Sequence, residues 1–290
     1  MIESKKIIFV GPAGSGKTTL KRVFFDMANP LYLLKTPLEP TRGINSRLYS
    51  LFNVKIGVFD LAGQENQDWF NKDKNIFSGT NIIICVIDIN SYLKEIFEFF
   101  KDFFKIYRDV NLYDCHTLIL LHKIDLIDPL YLQHKLKAIN EFLEKESLEK
   151  INVTIYTTSI AEDYFFKTYD LFTEIFTEIF KHKIITMDKS IFQNFKIDLK
   201  IIMKYSDSTN YRLINLYHDF DLPFEEAKLH LKRLEHLGFI KFLKDSQDFQ
   251  FTKRAAFFKS GLEKLDEKES KINKILESLY FFSNLTQERE

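Results

Sequence analysis

The sequence predicts an α/β fold with a mostly parallel central sheet, followed by a smaller helical domain and a long C-terminal helix. Three observations carry this expectation. From residue 5 to about 181, short β-branched and aromatic runs alternate with helix-like segments. One run, Ile82–Asp88, is almost unbroken in apolar character, as suits a strand covered on both faces. Beyond residue 190 the pattern changes to amphipathic helices with two strand-like runs. The expected boundaries are 1–182 for the α/β domain, 183–190 for a linker, 191–254 for the helical domain and 255–290 for the last helix and tail.

The bulk properties narrow the function classes. A chain of 290 residues that is 45% hydrophobic and 28% charged can bury ample core. Lys+Arg and Asp+Glu balance at 41 each, so no global field points to nucleic acid or an anionic membrane. Cys85 and Cys115 lack metal spacing, and Cys85 lies inside an apolar run. Reduced, buried thiols and a cytoplasmic setting are expected. No leader pattern precedes Ile7, no run reaches membrane-span length, and no lipidation motif is present, so no intrinsic membrane anchor is expected.

The most informative stretch is Gly11-Pro12-Ala13-Gly14-Ser15-Gly16-Lys17-Thr18, with Thr19 following. It fits GxxxxGK[ST] between the strand-like Ile7–Val10 and a helix-like run, the order that a phosphate-binding loop requires. The glycines let successive backbone N–H groups turn toward phosphate oxygens at the positive end of a helix. Lys17 would reach the β- and γ-phosphates, and the Thr18 hydroxyl would ligate Mg²⁺. Three prolines in Asn29–Thr41 predict a loop, and Ser46–Asn53 and Lys55–Asp60 predict two strands joined tightly. Asp60-Leu61-Ala62-Gly63-Gln64 follows at a strand end. There Asp60 would hold Mg²⁺ through water, the Gly63 N–H would meet the γ-phosphate, and Gln64 would orient an attacking water.

Lys94–Val110 reads as a helix whose Phe97, Phe100, Phe104 and Tyr107 form a core stripe, and Thr117–Leu121 reads as a strand ending in His122-Lys123-Ile124-Asp125. This tetrapeptide resembles the NKxD guanine-specificity motif of Ras-superfamily GTPases, with histidine replacing asparagine. The resemblance implies that Asp125 accepts from guanine N1–H and the 2-amino group, and that the Lys123 stem packs over the base. Residues 153–157 read as the last strand. Thr158-Ser159-Ile160 resembles the loop that meets guanine O6, and Glu162–Lys181 reads as the closing helix.

Within that superfamily the Rag/Gtr branch is the most similar, on Gly16-Lys17-Thr18-Thr19, Glu39-Pro40-Thr41, the histidine-first HKID and Thr158-Ser159-Ile160. Arf-like proteins come second, through Pro40–Asn45. Either family implies a Ras-like P-loop GTPase with Mg²⁺ and GTP or GDP, and Thr41 as the switch threonine that ligates Mg²⁺ (Thr36 is the alternative). It implies activating and exchange proteins and an effector as partners. An Arf protein would begin with an acylated amphipathic helix, and a Rag protein would end in a roadblock domain. Here only about four residues precede the first strand, and the C-terminal half does not read as a roadblock domain.

That half reads as helices at Ser190–Lys204, Thr209–Phe220 and Phe224–Leu237, the last with Phe224, Ala227, Leu231 and Leu234 on one face and Gly238 as its cap. Strands at Phe239–Leu243 and Asp248–Thr252, with a turn at Lys244–Gln247, complete a pattern that resembles a winged helix. Twelve Lys/Arg against nine Asp/Glu between Lys196 and Lys259 give a net of +3. Lys228, Lys232 and Arg233 offer a basic face, but Glu225 and Glu226 open that helix and would repel phosphate. Protein docking is favoured over nucleic acid. Arg254–Phe282 reads as one long helix whose Leu262, Leu265, Ile272, Leu276 and Leu279 form a seam that could build a homo- or heterodimer. The expected function is a GTP/GDP signalling switch with slow hydrolysis. The alternatives are a guanine-nucleotide-regulated DNA-binding protein and an ATP-dependent P-loop enzyme, the latter disfavoured by HKID.

Overall fold

The computed structural model describes residues 3–145, 153–179, 189–206, 210–243, 248–265 and 269–288. Two compact units result: Met1–Lys21, Leu38–Ser159 and Gln287–Glu290 in the first, Arg22–Pro37 and Ile160–Thr286 in the second. The units therefore do not divide at residue 182.

In the first unit, β1 (Glu3–Val10) leads through the glycine-rich loop into α1 (Lys17–Phe24). A hairpin of β2 (Ile44–Leu51) and β3 (Val54–Leu61) follows, then α3 (Asn66–Asn71), β4 (Ile82–Asp88) and α4 (Leu93–Asp109). β5 (His116–His122), α5 (Pro129–Lys145) and β6 (Val153–Thr158) complete the α/β alternation. With β10 (Leu285–Gln287) the sheet order is β10-β2-β3-β1-β4-β5-β6. Every pairing among β3, β1, β4, β5 and β6 is parallel, and β2 runs antiparallel to β3.

The physical reasons are local. β4 sits between β1 and β5, and Ile82–Ile87 are buried throughout, as an unbroken apolar run requires. α4 buries Phe100, Phe104 and Tyr107 of the expected stripe and widens it with Ile96, Phe99, Phe103 and Ile106, leaving Phe97 at its margin stacked on Phe142 at 4.5 Å. At the chain's end the Glu288 N–H donates to Leu48 O, and its carboxylate takes Ser50 Oγ at 2.5 Å and Lys55 Nζ at 3.2 Å. This closes an edge that β2 would otherwise leave open. Cys85 and Cys115 are buried free thiols.

The second unit corrects several expectations. The loop expected over Asn29–Thr41 contains a helix, α2 (Pro30–Lys35), because Pro30 occupies its first turn, where a missing N–H costs nothing, and Asn29 accepts from the Leu31 N–H. α6 (Glu162–Ile179) and α7 (Lys189–Tyr205) form as expected in their described parts, and most of the linker lies outside the described residues. The helix expected from Thr209 is instead a strand, β7 (Asn210–Arg212), followed by α8 (Leu213–Phe220). Then come α9 (Phe224–His236), β8 (Ile240–Phe242) and β9 (Asp248–Phe251), giving an antiparallel sheet β7-β9-β8. The turn expected at Lys244–Gln247 lies outside the described residues. Phe224 is not core but 42% exposed, with Lys228 Nζ 4.6 Å from its ring centroid.

The expected long last helix is two helices, α10 (Lys253–Glu263) and α11 (Glu269–Asn284), α10 ending where the Lys264 N–H turns back to Gly261 O. Part of the seam packs within the chain, while Ile272 is 38% exposed. Leu276 and Leu279 are buried, Ser278 Oγ is 2.8 Å from Thr173 Oγ1 on α6, and Tyr280 packs on Phe195 of α7.

Around α6 an aromatic core gathers: Phe24 stacks on Phe172 at 4.2 Å, and Tyr169 meets Phe258 at 5.0 Å and Phe282 at 4.3 Å. Inside it lies Arg254, fully buried. Its Nη1 donates to Val23 O at 2.7 Å, and its guanidinium carbon lies 5.5 to 6.0 Å from the rings of Phe24, Phe165, Tyr169 and Phe239. Burial lowers its pKa to about 10. Carbonyl and ring quadrupoles replace the water this charge has lost. Arg254→Ala should therefore cost roughly 3–5 kcal/mol, through the void and the unpaired carbonyl. Arg254→Met should cost roughly 1–2 kcal/mol, because it fills the space and removes a desolvated charge but still orphans Val23 O. Urea unfolding of the full chain measures both.

Candidate nucleotide-binding site

The parallel strands end at one edge of the sheet, and register fixes who meets there. Phe9 lies opposite Asp60, Asp88 opposite His122, and His122 opposite Thr158. Two constellations result, both within the first unit.

In the first, Lys17 is buried and its Nζ donates to Gly11 O and Pro12 O, each at 2.8 Å, spanning the loop it belongs to. Burial lowers its pKa to about 8, partly countered by Asp60. Thr18 Oγ1 donates to Asp60 Oδ2 at 2.6 Å and lies 2.9 Å from Thr41 Oγ1. The three segments that carry these residues thus meet at one hydroxyl. Asp60 Oδ1 is buried with no hydrogen-bond partner among the described residues. Burial raises the Asp60 pKa, against the Thr18 bond and the nearby Lys21 and Lys17. Two hydroxyls and one carboxylate with an orphaned oxygen suit a small oxygen-seeking cation that takes its other ligands from water and phosphate. Thr36, the alternative switch threonine, instead ends α2.

Gly63 packs against the loop so tightly that a Cβ there would fall 2.4 Å from Ala13 N and 2.5 Å from the Pro12 carbonyl carbon. Only glycine permits that approach. Two contacts tie this segment to its surroundings: the Gly43 N–H donates to Glu65 Oε1 at 2.9 Å, and the Ala62 N–H to Gly43 O at 3.0 Å. Gln64 is exposed beside a cleft of about 610 Å³ that runs past Ala13, Asn66, Phe70, Ile96 and Phe99. Arg42 is exposed next to Thr41.

The second constellation follows β5 and β6. His122 is buried, with Nδ1 3.1 Å from Thr158 Oγ1 and its ring against Gly16, where a Cβ would fall 2.5 Å from Cδ2. Gly16 itself has φ +101°, a second reason for glycine. Burial lowers the His122 pKa to about 4, so the ring is neutral and links the phosphate loop to β6. Lys123 is left-handed (φ +65°) and its Nζ donates to Gly14 O and Asp88 Oδ2, each at 2.7 Å. Ser159 Oγ donates to Asp125 Oδ1 at 2.5 Å, which orients that carboxylate. Thr19 is half-buried in the first turn of α1, Ser15 is buried with no partner for its Oγ among the described residues, and Ile160 is buried just before α6.

Sequence reasoning did not find Glu65, Lys21, whose Nζ donates to Asn45 Oδ1, or Asp88. The signals were present: an acid four residues after Leu61, a lysine one turn beyond Lys17, and an acid ending an apolar strand.

A mostly parallel seven-stranded sheet whose first strand leads through a glycine-rich loop into a helix is the architecture of a P-loop GTPase domain. A model of the Gtr1/RagA G protein conserved region matches residues 6–211, and the chain belongs to that family, the Rag/Gtr branch of small GTPases. The chain is also similar to the crystal structure of a bacterial selenocysteine-specific elongation factor, EF-Sec, at 20% identity and a TM-score of 0.43. The match covers 61% of this chain and 29% of that one. No helix among the described residues is long and apolar enough to cross a membrane.

The His122 value sets a pH dependence. Between an ordinary 6.5 and the folded value of about 4, the unfolded chain takes up a proton that the folded chain refuses. Stability should fall as pH drops through that window, by about 3 kcal/mol at its lower end. His122→Asn should remove this part of the slope, as read by urea unfolding at intervals from pH 7.5 to 4.

Proposed function

We propose that this GTPase works as a GTP/GDP switch whose C-terminal domain docks a protein partner. The meeting of Thr18, Thr41 and Asp60 within 2.9 Å carries the reading, because it joins the phosphate loop to both segments that would sense a γ-phosphate. Thr18 and Thr41, with Asp60 through water, would hold Mg²⁺, which when bound neutralises charge on the β- and γ-phosphoryl oxygens. Lys17 would exchange its two carbonyl bonds for phosphate oxygens, and the Gly63 N–H would face the γ-phosphate. Gln64 would orient the water for in-line attack. Its exposure supports slow intrinsic turnover, raised roughly 10³–10⁵-fold by an arginine from an activating partner or from Arg42. Asp125, oriented by Ser159, would select guanine.

Two substitutions separate the parts. Gln64→Leu should leave GDP affinity within about threefold and slow single-turnover hydrolysis at least tenfold; an unchanged rate removes Gln64 from the mechanism. Asp125→Asn should shift preference from guanine to xanthine nucleotides, and retained guanine selectivity would remove that assignment.

The order α7, β7, α8, α9, β8, β9 with its small antiparallel sheet supports a winged helix. The basic face expected on α9 is largely engaged. Arg233 bonds the buried Asp198 together with His230, and Lys228 pairs with Glu225 at 3.1 Å. Leu229 is 62% exposed on the same helix, one turn beyond Glu225 and Glu226 and one turn before the exposed Lys232, and Ile214 and Tyr217 are about half exposed on α8. Exposed apolar side chains beside charges of both signs favour a protein segment over a phosphate backbone. Fluorescence anisotropy with duplex DNA at low salt should show no binding up to about 10 µM protein in either nucleotide state. Salt-dependent binding in one state would favour the DNA-binding alternative.

A further inference from the structure

α5 is exposed over most of its surface, and its buried side chains are Lys135, Ile139 and Leu143, spaced i, i+4, i+8. A lysine thus occupies the first slot of an otherwise apolar stripe. Lys135 is 2% exposed, and its Nζ donates to Ile89 O and Ser91 O, each at 2.7 Å. An apolar residue here would leave both carbonyls without that donor.

Those carbonyls belong to the turn that follows β4. Asp88 begins the turn, and its Oδ1 accepts from the Asn90 N–H at 2.9 Å and from Asn90 Nδ2 at 3.0 Å. Asn90 Nδ2 also lies 3.2 Å from Lys123 O. The other Asp88 oxygen holds Lys123 Nζ, which reaches on to Gly14 O in the phosphate loop. Burial alone would raise the Asp88 pKa, but the Lys123 and Asn90 bonds outweigh it and hold the group below the usual range, as an ionised anchor. Lys123 needs such support, since a left-handed lysine is held only where its surroundings fix it. The chain of contacts runs from α5 through one turn to the residue that bridges the base loop and the phosphate loop.

We infer that Lys135 is a positioning residue for guanine-nucleotide retention, acting through the Asp88–Asn90 turn on Lys123. It touches no nucleotide and takes no part in bond cleavage. Its effect falls on how long GDP stays bound. The inference rests on the nucleotide-site reading above.

The test is release of a fluorescent GDP analogue from the full chain, chased with unlabelled GDP and Mg²⁺. Lys135→Met should speed release about tenfold, as expected for loss of charge-assisted hydrogen bonds. Single-turnover GTP cleavage in preloaded protein should change less than about threefold, a split that general unfolding would not produce. Combined with Asp88→Asn, the effects should fall well short of multiplicative, because both variants act on Lys123. Unchanged release in folded Lys135→Met, multiplicative effects, or equal losses in release and cleavage would overturn the inference. Should Lys135→Met not fold, the exposed Asn90→Ala carries the test: release about threefold faster supports the inference, and unchanged release overturns it. If wild-type protein retains no guanine nucleotide, the site reading itself has failed, and that result is distinct.

Discussion

Three segments at one edge of the first unit converge on one hydroxyl. Thr18 sits where the phosphate loop becomes a helix, and its Oγ1 meets Asp60 at the end of β3 and Thr41 ahead of β2. Each of these bonds alone is worth about 1 kcal/mol. Their importance lies in geometry, since three segments far apart in sequence share a single point at the edge of a parallel sheet. The Gly63 approach to Ala13 and the bond from Gly43 to Glu65 lock the same segments a second time. A ligand engaging that point would act on all three segments together, as the proposed switch requires.

Charges buried without a simple ion partner mark how the remaining parts are held. Lys17 and Lys135 each bridge two backbone carbonyls, and Arg254 bonds one carbonyl among four aromatic rings. In all three a cation gathers acceptors that an apolar side chain would leave orphaned. His122 takes the opposite solution. It stays neutral, and so can lie against Gly16 without a counter-ion. Histidine at this position is therefore compatible with a tightly packed phosphate loop.

Much of this was legible in the sequence. The run Ile82–Asp88 was bounded correctly because a central parallel strand needs apolar side chains on both faces. The glycine-rich loop, Asp60 and HKID were recognisable because their chemistry is short-range in sequence. What escaped notice depends on long-range partners or short elements. α2 was hidden behind Pro30, a breaker in the middle of a helix but a good first residue. β7 is three residues long, and polar Asn210 and Arg212 flank its one tyrosine. Lys135 and Arg254 are core residues that no hydrophobic pattern can reveal, because their burial is set by carbonyls and rings elsewhere in the chain. Phe224 misled in the other direction, being apolar, in phase and exposed.

The most direct test of the account begins with protein purified without added nucleotide. The bound nucleotide is identified, and phosphate release is then followed from GTP and from ATP with Mg²⁺. The account predicts GDP in the purified protein and slow turnover of GTP alone. An empty site, or equal use of ATP, would contradict it.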